Sequence, residues 1–383
     1  MLLRKYENQI IIVLAISLIF SYAIEAIISP NLDLTLPILI FTTLFVILGI
    51  LITSRIKKFH VEDGILFIFI IYILLHSIFI TNIISTMHII LGSLIAYYIG
   101  RIINIKDTND FLFFRKITNI YGYILICFIV FNYFNSISQY RVTVGSTHPV
   151  AIGELLGLFV IINFLSPNGV NKHLIGRLNA FIGLATMLFI VGSRGAFFSV
   201  ILCIFVILMM LASSKGKLFI LVSAILSLFF YNFVTTSMYV ISKFPTISRF
   251  SFKNILNDPS VTGSSQYVGR FDVYKESLQL FEGNFLFGAG LKSVYSHNIF
   301  LELLATTGLL GFLILFLFFL LIIIKSFKIT NNQTAYWLVA LFFFVFIYRQ
   351  TSFALDTSKS VFLFAGILIT LYYDRLKVRR EYE

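Results

Sequence analysis

The chain has 383 residues, 59% of them hydrophobic and 12% charged, and its mean hydropathy is +0.96. A water-soluble domain is nearer half apolar and a quarter charged, so lipid must be the solvent for much of this surface. The formal net charge is +12. In a soluble protein that would suggest nucleic acid, but here it reads as basic residues held in cytoplasmic loops, and no nucleic-acid partner is expected.

The N-terminus runs Met1-Leu2-Leu3-Arg4-Lys5 and then an apolar stretch from Ile10 to Ile28. That stretch is longer than a signal-peptide core and has no small-x-small cleavage site, so a retained first helix is expected. A span needs about 20 apolar residues. On that criterion the expected spans are 10–28, 35–53, 64–82, 85–100, 117–135, 149–165, 176–192, 196–212, 217–235, 298–324, 333–349 and 359–374. The run at 85–100 is short and carries His88, and the seventh and eighth spans meet at the tight turn Gly192-Ser193-Arg194-Gly195. Cys127 and Cys203 lie inside apolar runs without metal-ligand spacing and read as packing residues.

Placing the N-terminus inside puts most of the Lys and Arg residues in cytoplasmic segments, including Arg55, Lys57, Arg101, Arg115, Lys215, Lys325 and the tail Arg375–Arg380. The expected architecture is therefore all-α: a polytopic transmembrane protein with about 12 spans, both termini cytoplasmic and one long extracytoplasmic loop before the tenth span. Residues 1–235 would hold the first nine spans, 236–296 the loop, and 297–383 the last three spans and the basic tail. The loop is not low in complexity. Val268, Phe271, Tyr274, Leu278 and Phe281 recur at helical spacing, opposite Asp272, Lys275, Glu276 and Gln279. That pattern predicts an amphipathic helix lying on the outer membrane surface. There is no internal repeat and no pair of broken helices of the kind transporters use.

Ionisable residues are costly in lipid and mark function by default. Several fall at one level, the outer ends of the expected spans. His297 stands where the long loop enters the tenth span, with Ser296 as the expected N-cap. The helix N-terminus would favour a neutral imidazole able to accept a proton near neutral pH; an interfacial His bonded to loop backbone is the plainer alternative. Arg194, between glycines on a tight outer turn, suits a phosphate or pyrophosphate, or else simply snorkels. Arg270 opens the amphipathic helix and Arg141 lies in a short outer loop; each is either an anion ligand or a solvated cation. Arg349, at the end of the eleventh span, is a weaker candidate. Glu154 and Glu302 lie inside helices, where a lone carboxylate must pair or protonate, and either could bond an arginine or orient His297. No D-x-D, metal-ligand cluster, P-loop or G-x-S-x-G elbow is present. A metal-dependent transferase and an ATP-driven pump are both disfavoured.

Three stretches resemble the O-antigen ligase and O-antigen polymerase superfamily. They are Gly192-Ser193-Arg194-Gly195-Ala196; Gly269-Arg270 followed by Asn284-Phe285-Leu286-Phe287-Gly288-Ala289-Gly290; and His297-Asn298-Ile299-Phe300-Leu301-Glu302-Leu303-Leu304, continuing to Gly308-Leu309-Leu310-Gly311. The resemblance implies a metal-independent, inverting glycosyltransferase of the bacterial cytoplasmic (inner) membrane, with no cofactor. Its donor would be a glycan linked through pyrophosphate to undecaprenol, and its acceptor a sugar hydroxyl of a glycan or of lipid A–core. His297 would be the catalytic base; Arg194 and Arg270, with Arg141 less closely matched, would bind the pyrophosphate; Asn298, Glu302 and Glu154 would support the site. A chain-length regulator is a candidate partner. The motifs do not separate a polymerase of capsule or O-antigen repeat units from a ligase of finished chains. The reading leans to polymerase because such enzymes occur in both Gram-positive and Gram-negative bacteria. A transporter or flippase of lipid-linked sugars is the contrasting class, disfavoured because the charges gather at one outer level rather than at the bilayer midplane.

Overall fold

The computed structural model describes residues 2–28, 58–80, 83–105, 108–135, 149–165, 173–213, 216–217, 220–221, 247, 250, 270–329, 335–352 and 355–382. Among them all regular structure is helical. The order is α1 (Leu2–Ile28), α2 (Val61–Phe79), α3 (Ile83–Ile89), a π-helical turn (Ile90–Leu94), α4 (Ile95–Ile102), α5 (Thr108–Asn135) and α6 (Pro149–Phe164). Next come α7 (His173–Thr186) with a second π turn (Met187–Val191), α8 (Arg194–Leu211) and α9 (Arg270–Gly283). The chain closes with α10 (Ile299–Ile329), α11 (Tyr336–Arg349), a 3₁₀ turn (Leu355–Thr357) and α12 (Lys359–Tyr382).

Five helical stretches among the described residues are long and apolar enough to cross a membrane: Val61–Phe79, Thr108–Asn135, Leu174–Val191, Arg194–Leu211 and Ile299–Ile329. Glu7–Ser21, Pro149–Phe164 and Tyr336–Arg349 are shorter apolar helices. The expected span 35–53 and nearly all of 217–235 lie outside the described residues. The short run at 85–100 is helical throughout, carried through the π turn into α4.

Without a hydrophobic drive between helices in lipid, close approach of small residues does much of the packing. Helices α4 and α12 meet glycine on glycine. A Cβ on Gly100 would fall 2.1 Å from the Leu363 carbonyl oxygen, and one on Gly366 would fall 2.1 Å from that of Tyr97. In the same way Gly157 of α6 receives the Phe344 ring of α11.

Polar side chains collect at the two ends of the bundle. At one end, buried Asp63 in the first turn of α2 accepts from Arg101 Nε at 2.9 Å and from the Tyr97 hydroxyl at 2.7 Å. Arg101 also donates to Thr370 at 3.0 Å, and Lys325 of α10 pairs with buried Glu62. These pairs join α2, α4, α10 and α12, so each charge taken from water meets its opposite.

The tenth span departs from expectation. It runs on to Ile329 and is broken at Gly308, whose φ of 67° and ψ of −171° are not helical. A break leaves carbonyls above it and amides below it without helical partners, a cost of several kcal/mol each in a bilayer. The segment after α9 supplies those partners. The amides of Ala289 and Gly290 donate to the carbonyls of Ala305 and Thr306 at 2.8 and 3.1 Å. The amides of Leu309 and Leu310 donate to the carbonyls of Phe285 and Leu286 at 2.9 and 3.3 Å. Two glycines permit the crossing: a Cβ on Gly308 would lie 2.4 Å from the Leu286 backbone, and one on Gly288 would lie 2.4 Å from that of Thr306. From α2, the Tyr72 hydroxyl donates to Thr307 O at 2.6 Å and His76 Nε2 to Phe287 O at 2.7 Å.

Helix α9 also differs in its setting. It packs against α10. Its most buried described residue is Ser277, while Leu278 of the expected apolar face stands 44% exposed. The side of the helix that meets protein is therefore the one carrying Ser277, and Leu278 of the expected apolar face is not buried by it. Val268 and the Phe271 side chain lie outside the described residues.

Candidate functional site

The other end of the bundle holds most of the candidate residues. His297 has a left-handed backbone (φ 59°) and is half-buried. Its ring meets the Tyr295 ring edge-on, with centroids 4.3 Å apart.

The expected cap on α10 moves by two residues. Asn298 Oδ1 accepts from the amides of Phe300 and Leu301 at 3.0 and 3.1 Å, the N2 and N3 positions. Ser296 instead donates from Oγ to the Asn298 carbonyl at 2.7 Å. An Asn oxygen placed directly before Ile299 reaches both orphan amides, whereas a serine two residues earlier does not. His297 is thus the residue just outside the capped helix, with its backbone held on both sides.

Asn298 also ties this corner to α11: its Nδ2 donates to the Gln350 carbonyl at 3.1 Å. The start of α8 comes to the same turn. A Cβ on Gly195 would lie 2.8 Å from Thr351 Oγ1 and 3.2 Å from both Ser352 Oγ and the Tyr348 ring. Arg194, next to it, is the first residue of α8, behind Gly192 at φ 65°. Ser193, the cap position, lies 3.4 Å from the Tyr348 hydroxyl, which donates to Val150 O at 2.7 Å.

Behind this turn the two acidic candidates take different roles. Glu154 faces Arg349: Nη2 lies 2.8 and 2.9 Å from its two carboxylate oxygens, and both residues are buried. Ser360 of α12 donates to the same carboxylate and accepts from Arg349 at 3.0 Å. Glu302 Oε1 accepts the Leu355 amide at 2.9 Å and so fixes the 3₁₀ turn to α10. Ser93, in the π turn, donates to the Leu355 carbonyl at 2.7 Å.

His297–Asn298, Arg194–Gly195, Glu154 and Glu302 therefore gather around residues 348–357. Arg270 is the first residue of α9, but its side chain lies outside the described residues, as does all of Arg141. A cavity of about 340 Å3 opens in this corner, lined in part by Tyr295 and Glu302.

Residues 179–316 match the family model of O-antigen ligase. The matched segment runs from Asn179 in α7, through α8 and α9, to Phe316 beyond the break in α10. It encloses Gly192–Ala196, Gly269-Arg270, Asn284–Gly290 and His297–Gly311, so the O-antigen ligase and polymerase resemblance read from those stretches holds. No curated protein matches the chain.

Within the matched segment, the Asn284–Gly290 stretch acts as a plug for the helix break, a role its sequence did not reveal. The signal for the break was a lone glycine after Thr306-Thr307 inside a long apolar run. Sequence reasoning passed over Tyr72 and His76 as well, although a histidine inside an apolar run is a functional hypothesis by default in lipid. It also gave no role to Lys359, which is buried at the head of α12 and donates to Ser21 of α1.

Proposed function

We propose that this protein is a glycan transferase of the bacterial cytoplasmic membrane that acts at the outer face. Its donor is a glycan carried on undecaprenyl pyrophosphate and its acceptor is a sugar hydroxyl. The observation that carries the reading is that two parts of the segment matching the O-antigen ligase model, a half-buried histidine at a capped helix start and an arginine-headed helix, converge on one turn at residues 348–352.

In the proposed step the acceptor oxygen bonds to the anomeric carbon from the side opposite the pyrophosphate, and its proton passes to His297. The bond from that carbon to the pyrophosphate oxygen breaks, and undecaprenyl pyrophosphate leaves with the electron pair. The anomeric configuration inverts. The leaving group carries its own charge, so no metal is invoked; Arg194 and Arg270, with Arg141, hold the pyrophosphate. The imidazolium then returns its proton to solvent. The chain would have about 12 spans with both ends cytoplasmic, as its loop charges favour. That topology sets the Glu62–Arg101–Lys325 end inside and the His297 end outside.

The preferred reading is a polymerase of surface-polysaccharide repeat units; the second is a ligase that moves the finished chain to lipid A–core, which the family description favours. The test is the glycan profile of a deletion strain. A polymerase leaves single-repeat products, whereas a ligase leaves intact lipid-linked chains that never reach their acceptor. Unchanged surface polysaccharide would overturn both.

Arg194→Ala should lower transfer sharply, and Arg194→Lys should not restore it, because an ammonium cannot reproduce the planar two-point grip of a guanidinium. Assay of membranes with lipid-linked donor checks this; equal activity of the lysine variant would remove Arg194 from the pyrophosphate site.

A further inference from the structure

The cavity of about 340 Å3 beside His297 is at the small end of small-molecule sites, which run from about 300 to 1,000 Å3. It has room for a sugar ring but not for a polyprenyl chain. We propose that it seats the terminal sugar ring of the acceptor, and that Glu302 is the residue that reads that ring's hydroxyls. The proposal rests on the glycan-transfer reading above.

The lining is chemically mixed in the way a sugar requires. Lys292, Glu302, Thr306 and Thr357 offer polar atoms, while Ile89 and Leu291 offer aliphatic surface for the C–H faces of a ring. The Glu302 carboxylate is buried and held in direction by the Leu355 amide on Oε1. Thr306 donates its own proton to the Glu302 backbone carbonyl at 2.6 Å, so its hydroxyl oxygen is left to accept. A carboxylate and an accepting hydroxyl suit a ligand rich in O–H donors.

Lys292 lines the same cavity, so acceptors on Glu302 and Thr306 face a donor ammonium across it, a set that matches the mixed donor and acceptor character of sugar hydroxyls.

Position supplies the remaining argument. Tyr295 lines the cavity and touches the His297 ring, so a hydroxyl projecting past Tyr295 arrives at the imidazole. The backbone around the opening is held in unusual conformations: φ is 65° at Lys292 and 59° at His297, and a π turn begins beside Ile89. Left-handed non-glycine residues cost energy and persist where surrounding structure enforces them, and they cluster at functional sites, as π turns also do.

The experiment uses the full chain in lipid nanodiscs and two probes: the free repeat oligosaccharide released from the host strain's surface polysaccharide, and undecaprenyl pyrophosphate. The oligosaccharide should bind wild type. Glu302→Gln should weaken it by about tenfold or more, and Thr357→Trp, which fills the cavity, should abolish binding. Thr306→Val, which keeps the shape and removes the hydroxyl, should weaken it less. Undecaprenyl pyrophosphate should bind all four proteins alike, which also shows that the variants are folded. In transfer assays the KM for acceptor should rise, with the KM for donor unchanged. The proposal is overturned if the oligosaccharide does not bind wild type, if the three variants bind it normally, or if they weaken undecaprenyl pyrophosphate instead. Oligosaccharide binding with the expected losses, but no glycan transfer by wild type, would keep the sugar site and sink the transferase reading.

Discussion

Replacing His297 with alanine should lower glycan transfer by about 10²–10⁴-fold, the usual contribution of a positioned general base. Membrane insertion should be unchanged, because His297 lies just outside α10 and the side-chain cap of that helix is supplied by Asn298. The left-handed backbone makes His297→Asn the sharper variant. Asparagine adopts φ near 59° more readily than alanine and cannot act as a base at neutral pH. Both variants should be equally inactive in membranes supplied with lipid-linked donor, and both should reach wild-type abundance by gel filtration in detergent. Near-normal transfer by either would remove the general-base role.

Arg349→Met should be the most destabilising single change at this end of the bundle. It would leave Glu154 as a buried carboxylate, and breaking such a pair from one side costs about 3–5 kcal/mol. Ser360 alone cannot compensate a full charge. The double variant Glu154→Leu with Arg349→Met removes both charges and should recover much of the loss. Melting temperatures in detergent read the difference. Equal losses in the single and double variants would show that the pair is not the source of stability there. A stable double variant that transfers no glycan would give the pair a role in the site as well.

The candidate residues were partly legible because their chemistry stands out against lipid. His297, Asn298, Arg194 and Glu302 lie in stretches where polar groups interrupt long apolar runs, and each cost in lipid asks for a reason. Their grouping was legible only as a shared level, the outer ends of helices. The contacts that make the group are non-local: Asn298 reaches Gln350, and Glu154 pairs with Arg349 across 195 residues of sequence. Ser296 looked like a cap because serine is a good cap by type. Asn298 won because its side-chain oxygen sits one residue before the helix and reaches two amides.

The amino-acid sequence by itself determined that this is a helical membrane protein and where many of its helices run. In lipid each helix must satisfy its own backbone and present some 20 apolar residues, and both demands are local. Only the tertiary structure decided that α10 breaks at Gly308, since the break is tolerable because residues 285–290 cross it and take up its four orphaned backbone groups. It likewise decided which charges neutralise one another and that a mixed-lining cavity opens at Tyr295, whose ring meets that of His297. Hydropathy fixes how far a helix extends, whereas pairing and cavities depend on which faces of distant helices approach, and a linear pattern of apolar residues does not encode that.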